Sequence, residues 1–170
     1  MTAKKTGKPL VGILMGSDSD LEIMNEAAKV FDQFKISYET VITSAHRSPK
    51  RTALYASSAE KRGIKILIAG AGMAAHLAGV VAAHTILPVI GVPIDASSLK
   101  GLDSILSTVQ MPGGIPVAGM AIGKAGAKNA ALLSVEILSL FTPSLKKQLE
   151  KFREKMESDV AEKDKKLRGV

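Results

Sequence analysis

The stretch "IKILIAGAG", residues 64–72, decides the fold class, because it is a nearly continuous apolar run that leads into a glycine-rich loop. A run of this kind is typical of a strand that is buried on both faces, as in a parallel sheet covered by helices. "LVGILMG" (10–16) and "PVIGVPI" (88–94) have the same character. With "ISYETVIT" (36–43) and "IPVAGMAI" (115–122), the chain has five predicted strands.

Segments with apolar residues at helical spacing separate these strands and follow the last of them. In chain order they cover residues 20–34, 49–63, 74–85, 101–110, 125–141 and 143–169. A β-α-β-α series predicts α/β architecture: a doubly wound parallel sheet with helices on both faces. Ligands of such sheets bind beyond the carboxyl ends of the strands. Functional residues are therefore expected in the segments that follow the strands.

The chain of 170 residues is long enough for one domain with a sizeable core. We predict a flexible N-terminus at residues 1–8, an α/β domain at 9–142 and a C-terminal helix at 143–170. That helix is charged but carries an apolar stripe, which we expect to pack on its own domain or on a neighbouring subunit. The stripe consists of Leu145, Leu149, Phe152, Met156 and Val160.

The composition excludes several classes of protein. There is no Cys, so a disulfide scaffold, a thiolate nucleophile and a Cys-ligated metal are excluded. The net charge of +7 comes mostly from the two ends of the chain, and aromatic residues make up only 4%, so we expect no nucleic-acid partner. No run of about 18 apolar residues is present, so we expect no membrane partner. The stretch "MTAKKTGKPL" (1–10) carries lysines but no apolar region of signal-peptide length. A cytoplasmic location is the expectation.

"TSAHRSPK" (43–50) follows the second predicted strand and is either a polar turn or part of a site. Ser48 and Pro49 have a structural explanation, because Pro is favoured at the first position of a helix. His46 and Arg47 have none. An arginine can hold a phosphate through two parallel hydrogen bonds, and a histidine can move a proton near neutral pH.

"MGSDSD" (15–20) follows the first predicted strand. Ser17 or Ser19 can cap the next helix, and Asp18 or Asp20 suits its positive end. The alternative is a sugar-phosphate site, in which hydroxyl and N–H groups face the anion and an aspartate binds the ribose diol. The motif alone leaves both possibilities open.

"AGAGMAAHLAG" (69–79) follows the third strand, and its glycines let the backbone approach a ligand closely. His76 is either a buried core residue or part of the site, and its position after a strand favours the site. His84 lies eight residues further on, without the spacing of a helical metal site, and no set of metal ligands emerges. "MPGG" (111–114) is a loop that could serve as a lid or as an ordinary turn.

The motifs occur in a specific order over about residues 9–140: "GSDSD", "SAHRSP", "GAGMAAHLAG", "PVIGVP", "DSILSTVQMPGGIPV" and "AIGKAGAKNAALL". In this the chain closely resembles the class I N5-carboxyaminoimidazole ribonucleotide mutase family of purine biosynthesis. The resemblance implies a flavodoxin-like, three-layer αβα fold with a five-stranded parallel sheet, and a homo-octamer. It implies conversion of N5-carboxyaminoimidazole ribonucleotide to 4-carboxy-5-aminoimidazole ribonucleotide, with no cofactor and no metal.

The resemblance also implies roles for residues. His46 would be the general acid/base and His76 would lie in the same pocket, so both are candidate catalytic residues. Ser17, Asp20 and Arg47 would bind the ribonucleotide. Further substrate contacts would come from Ser19, Ser44, Ala45, Ala71, Gly72 and Leu77. Two positions depart from the family pattern: Met73 stands where the family usually has Gly, and Ala78 where it usually has Pro.

Two alternatives come from different classes of protein. The class II members of the family carboxylate aminoimidazole ribonucleotide directly with CO2, and usually carry a Lys in the "SAHR" stretch; Arg47 and "AAHL" favour class I. A flavodoxin-like flavin or nucleotide-binding module would share the fold. It commonly has aromatic residues beside the flavin ring, whereas this chain has two Tyr and no Trp.

Overall fold

The computed structural model describes residues 7–169, so most of the N-terminus predicted at 1–8 lies outside the described residues. The strands are β1 (Val11–Met15), β2 (Tyr38–Ile42), β3 (Ile66–Gly72), β4 (Val89–Ile94) and β5 (Ala118–Gly119). The helices are α1 (Leu21–Gln33), α2 (Pro49–Ser58), α3 (Leu77–Ala83), α4 (Leu102–Val109), α5 (Lys124–Ser139) and α6 (Pro143–Arg168). Short 3-10 helices precede α1 (Asp18–Asp20) and follow α2 (Glu60–Arg62).

The five strands form one parallel sheet in the order β2-β1-β3-β4-β5. This is the strand order of flavodoxin-like doubly wound folds, and it confirms the predicted fold class. Every residue of β1 and β4 is buried, as are the first five of β3, whereas β2 and β5 at the edges are partly exposed. Continuous apolar runs therefore predicted the three central strands correctly.

The last strand is much shorter than the predicted run at 115–122. Only Ala118 and Gly119 pair with β4, opposite Ile90 and Gly91. Pro116 has no backbone N–H to donate to a ladder, and within the described part of the chain β5 pairs on one side only, with β4. The apolar letters of this segment thus form an edge and a loop rather than a full strand.

Helices α1, α2 and α3 are divided between the two faces of the sheet. Residues of α2 and α3 share one buried cluster with Leu14, Leu67 and Ala69, which all point to the same face. On the other face, Met24 of α1 lies so close to Gly70 that a β-carbon there would come within 2.3 Å of its sulfur. Since successive side chains of a strand alternate between faces, α1 and the α2–α3 pair must cover different sides.

Helix α4 packs on the sheet through small and polar residues. Ser104 and Thr108 are fully buried, and the Ser104 hydroxyl donates to the carbonyl oxygens of Ile94 (3.0 Å) and Gly101 (2.9 Å). The methyl group of Thr108 lies over Gly91, where an added β-carbon would come within 2.4 Å of it. A branched side chain cannot move aside easily, so Gly91 is needed for α4 to sit this close to β4.

The chain divides into two compact units, one up to Leu132 and the other from Leu133. The first holds the sheet and helices α1 to α4. The second holds the end of α5 and all of α6, in which Arg153 pairs with Glu136 at 2.6 Å. Leu145 and Leu149 of the predicted stripe are buried, whereas Met156 and Val160 are exposed. Whether the stripe contacts a neighbouring subunit stays a prediction.

None of the helices within residues 7–169 has the length and apolar character needed to cross a bilayer.

Candidate active site

One cavity of about 530 Å³ opens beyond the carboxyl ends of the strands. The segments that follow β1 and β2, the end of β3, and the loop after β4 all contribute to its wall. Its lining consists of Gly16, Ser17, Ser19, Asp20, Ser44, Ala45, His46, Arg47, Ala71, Gly72, Met73, Ala74, His76, Leu77 and Ala96. The position agrees with the general rule for ligand sites in open parallel sheets.

The segment after β1 forms a capping box at the cavity wall. The Ser17 hydroxyl accepts a hydrogen bond from the Ser19 N–H (3.4 Å), and the Asp20 carboxylate accepts one from the Ser17 N–H (3.2 Å). Capping and a role in the site were alternatives for "MGSDSD", yet the residues that make the cap also line the cavity. The cap therefore fixes the direction of groups that face a ligand.

Asp20 is 6% exposed and has an unusual electrostatic environment. Burial raises the pKa of its carboxyl group and outweighs the hydrogen bonds from the Ser17 backbone, the Ser19 side chain and the Gly16 backbone, which lower it. Nearby Asp18 raises the pKa slightly further through repulsion between like charges. A carboxylate kept at this cost at a cavity wall is a candidate for binding hydroxyl groups of a ligand.

A set of hydroxyl groups lies beneath the His46–Arg47 turn. The hydroxyls of Thr43 and Thr52, both buried, are hydrogen-bonded to each other at 2.8 Å. The Ser48 hydroxyl accepts from the Ser44 N–H (2.9 Å) and donates to the Ser44 carbonyl (3.1 Å). Together these bonds tie the end of β2 to the first turn of α2, so the turn between them has a fixed shape.

Arg47 connects the ends of two neighbouring strands. Its backbone N–H donates to the Ser44 hydroxyl (3.1 Å), and its guanidinium donates through Nη2 to the carbonyl of Gly16 (3.0 Å). That bond uses one of the five N–H donors of the guanidinium. The remaining N–H donors lie at the cavity beside Ser17, where they could donate hydrogen bonds to an anion.

The two predicted histidines meet at the cavity. Nε2 of His46 and Nδ1 of His76 are 2.9 Å apart, and the rings are nearly perpendicular at 87°. His46 comes from the turn after β2, whereas His76 stands at the N-terminus of α3, so only the fold brings them together. In this hydrogen bond one of the two facing nitrogens carries the proton and donates it, and the other accepts the bond. The pair can therefore hold one proton at the cavity and exchange it with a bound ligand.

The end of β3 forms the opposite wall. A β-carbon on Gly72 would lie 2.5 Å from the β-carbon of Ala96 and 3.1 Å from the carbonyl oxygen of Ile94, so only glycine fits there. The chain then turns through Met73, which has a positive φ of 55°, into the loop that carries His76.

Each of the site residues predicted from the sequence lines this one cavity. The prediction did not include Gly16, Met73 or Ala96 among the residues of the site. Ala96 could not be identified from its chemistry, because its methyl side chain is like that of every other alanine. Its place in the site follows only from the rule that the carboxyl ends of parallel strands lie at the same edge of the sheet.

Three other features lie elsewhere. Residues 111–114 do not line the cavity; instead the Met111 side chain lies against Gly79 of α3, within 3.3 Å of where a β-carbon would be. His84 is exposed at the end of α3. Among residues 7–169, no group of three or more His, Asp or Glu side chains is placed to hold a metal ion.

Comparison with known proteins identifies the family of this chain. The family model described as AIR carboxylase matches residues 10–159 of this chain. The chain belongs to the AIR carboxylase family. Among members of this family, the N5-carboxyaminoimidazole ribonucleotide mutase of Pyrococcus abyssi is 60% identical over 89% of this chain and 86% of its own length. The mutase of Bacillus subtilis is 54% identical over 91% of this chain and 96% of its own.

Comparison with solved structures finds the same fold. The crystal structure of Treponema denticola PurE superposes with a TM-score of 0.83, at 32% identity, over 94% of this chain and 98% of that one.

Proposed function

We propose that this protein is an isomerase of purine biosynthesis, which converts N5-carboxyaminoimidazole ribonucleotide to 4-carboxy-5-aminoimidazole ribonucleotide. The observation that carries the proposal is the pairing of His46 with His76 in a cavity that also holds Arg47, Ser17 and Asp20. Membership of the AIR carboxylase family and mutases at 54–60% identity support it.

The ribonucleotide would bind with its phosphate towards β1. Arg47 has guanidinium donors left over after its bond to Gly16, and Ser17 stands nearby at the end of the same strand. A guanidinium and a hydroxyl together suit a phosphate. Asp20 would accept hydrogen bonds from the ribose hydroxyls, which a carboxylate can do through both oxygens. The remaining predicted contacts, Ser19, Ser44, Ala45, Ala71, Gly72 and Leu77, would surround the ring.

The reaction needs a single proton that leaves and returns. The C–N bond of the carbamate breaks, its electron pair stays on nitrogen, and that nitrogen takes a proton from His46 while neutral CO2 forms. The ring carbon C4 then attacks CO2, so that a C–C bond and a new carboxylate form. C4 finally loses its proton to His46, which restores the starting state. Donor and acceptor can therefore be the same residue, with no net change in protons.

His76 would assist by sharing the proton with His46 through the hydrogen bond between the two rings. Its Nδ1 faces the Nε2 of His46 at 2.9 Å, so it can take up or supply the proton that His46 exchanges with the substrate. The proposal assigns the direct proton transfer to His46 and the partner role to His76.

The test is an assay of the purified protein with N5-carboxyaminoimidazole ribonucleotide, compared with the variant His46→Asn. Loss of a general acid/base typically lowers the rate by about 10²–10⁴. The variant should fold normally, because His46 is exposed at the cavity. A variant with more than roughly a tenth of the wild-type turnover would show that His46 is not the proton shuttle.

The second candidate is the class II reaction, direct carboxylation of aminoimidazole ribonucleotide by CO2. The same cavity and histidine pair could run that chemistry, and Arg47 is the residue that favours the mutase. The two reactions separate in one experiment, in which each ribonucleotide is supplied alone. Formation of the 4-carboxy product from aminoimidazole ribonucleotide and bicarbonate, faster than from the carbamate, would favour the carboxylase.

The proposal includes a homo-oligomer, expected to be an octamer from the family resemblance, and a cytoplasmic location. Support for self-association comes from α4, whose outer side exposes Leu102, Leu106 and Val109, at 56%, 48% and 44%. Its buried side carries Ser104 and Thr108. A helix with its apolar residues outward implies cover by another surface.

A further inference from the structure

Met73 combines a strained backbone with a position at the cavity. Its φ of 55° lies in the left-handed region, where the β-carbon of an ordinary residue crowds the backbone. Three non-glycine residues between 7 and 169 have a positive φ, namely Lys35, Met73 and Lys100, and of these Met73 alone lines the cavity. Strain of this kind persists only where the surroundings hold it, and it is concentrated at functional sites.

The backbone on both sides of Met73 is held firmly. Gly72 before it is wedged against Ala96 and the Ile94 carbonyl. After it, the N–H of His76 donates to the Ala74 carbonyl at 2.8 Å, and Ala75 is buried. The side chain of Met73, in contrast, is 58% exposed while it also lines the cavity, which places it at the mouth. A long apolar side chain is thus held by a strained turn at the point where the cavity meets water.

We propose that Met73 is the apolar cover that retains CO2 within the site during the reaction. This inference rests on the proposed function. Between the breaking of the C–N bond and the formation of the C–C bond, CO2 is neutral and apolar, so the charged and polar groups of the cavity hold it poorly. An unbranched thioether has three rotatable bonds and can close irregular gaps over it. A closed mouth also keeps water out.

The backbone strain itself is the competing explanation, and a series of three variants separates the two. Met73→Gly removes the side chain and relieves the strain, since glycine adopts positive φ freely. Met73→Ala removes most of the side chain but keeps the strain. Met73→Leu keeps both the apolar bulk and the strain, and is the matched control.

The experiment follows the carboxyl carbon rather than the rate alone. The substrate carries ¹³C in its carbamate, the buffer contains unlabelled bicarbonate, and mass spectrometry measures the fraction of 4-carboxy product that keeps the label. We expect the wild type and Met73→Leu to retain the label. Met73→Gly and Met73→Ala should both give a several-fold larger unlabelled fraction, because CO2 escapes and is replaced from solution. Spontaneous exchange of the carbamate carboxyl with unlabelled bicarbonate would also give unlabelled product, so each protein is used in excess over substrate for a single turnover, and the label lost from substrate alone over the same time is subtracted.

Two outcomes would overturn the inference while the proposed function stands. One is equal label retention in all four proteins, and the other is a change in Met73→Gly alone, which would assign the effect to the backbone. A wild type that forms no 4-carboxy product from the carbamate would instead overturn the proposed function, and this inference with it.

Discussion

The side chains of His46 and Arg47 depend on hydroxyl groups that never touch the cavity. Thr43 at the end of β2 and Thr52 in α2 are buried and hydrogen-bonded at 2.8 Å, directly beneath the turn. We predict that Thr52→Val lowers kcat by roughly tenfold or more, because small displacements of a catalytic group are costly. The free energy of unfolding should fall by about 1–3 kcal/mol, since the Thr43 hydroxyl loses its hydrogen bond to the Thr52 hydroxyl.

Steady-state kinetics and urea unfolding test this prediction, with Thr52→Ser as the control that keeps the hydroxyl. Recovery of kcat in Thr52→Ser, at a stability below that of the wild type, would mark Thr52 as a positioning residue. If Thr52→Val is less stable but turns over normally, the network serves the fold alone.

Asp20 gives a prediction with opposite effects on stability and binding. Burial raises the pKa of its carboxyl, so its contribution to stability is fully present below its ordinary pKa and is lost as the pH rises through the raised value. At neutral pH the ionised form of Asp20 therefore contributes less to stability than the protonated form would. We expect Asp20→Asn to unfold at higher urea than the wild type at pH 7, and the advantage to shrink as the pH falls through the carboxyl range.

Binding by Asp20→Asn should weaken at the same time. A hydrogen bond to a charged group contributes about 1.5–3 kcal/mol, which corresponds to a rise of roughly 10- to 100-fold in KM. An unchanged KM would show that Asp20 does not contact the ribose, whatever its effect on stability.

Residues with distinctive chemistry were predictable from the sequence, and those that act by shape were not. His46, Arg47 and Asp20 carry groups that point to phosphate, ribose and proton chemistry, and they line the cavity as expected. The bond between Thr43 and Thr52 could not be foreseen, because it needs the angle between β2 and α2. For Met73 the sequence shows only a departure from the family pattern, and its strained φ is visible only in the structure.

At the level of elements, Glu39 links the edge strand β2 to α2. Its carboxylate accepts from the hydroxyl of Tyr55 at 2.7 Å and pairs with Arg62, whose guanidinium also lies 4.4 Å from the centre of the Tyr55 ring. Burial and the bond to Glu39 raise the pKa of Tyr55, so its hydroxyl stays a donor across the physiological range. Among the described residues 7–169, strand β2 pairs with β1 alone, and this cluster is its second attachment.

We predict that Glu39→Ala destabilises the protein by about 1–3 kcal/mol, because a partly buried hydroxyl loses its acceptor. Tyr55→Phe removes the donor, so the double variant should lose less than the sum of the two single variants. Urea unfolding of the four proteins measures the coupling. Additive losses would mean that Glu39 and Tyr55 contribute independently.

Element types were predictable wherever a strand is central. The apolar runs at 10–16, 64–72 and 88–94 became β1, β3 and β4 with ends shifted by at most two residues. The run at 115–122 became two paired residues, because an edge position and Pro116 limit its ladder. A run of apolar residues indicates burial, but at the edge of a sheet burial alone does not predict which residues pair with the neighbouring strand.

At the scale of the whole molecule, the outward apolar side of α4 is a feature that a single chain leaves unexplained. One side of α4 exposes three apolar residues at helical spacing, Leu102, Leu106 and Val109. The opposite side is buried and carries Ser104, whose hydroxyl donates to the Ile94 carbonyl, and Thr108, whose hydroxyl donates to the Ser104 carbonyl. Turning the helix would bury leucines but would break the hydrogen bond from the Ser104 hydroxyl to the Ile94 carbonyl of β4. The arrangement therefore fits a surface that a second copy of the chain covers, as the proposed homo-oligomer requires.

We predict that Leu106→Lys shifts the protein to smaller species, because a charge at the centre of an apolar contact must be buried or excluded. Leu106→Met keeps the apolar character and should assemble like the wild type. Light scattering on the purified proteins gives the masses, and circular dichroism checks the fold, which should survive because Leu106 is 48% exposed in the single chain. A Leu106→Lys protein of wild-type mass would mean that α4 is not in the interface, and a wild type of monomer mass would end the oligomer proposal altogether.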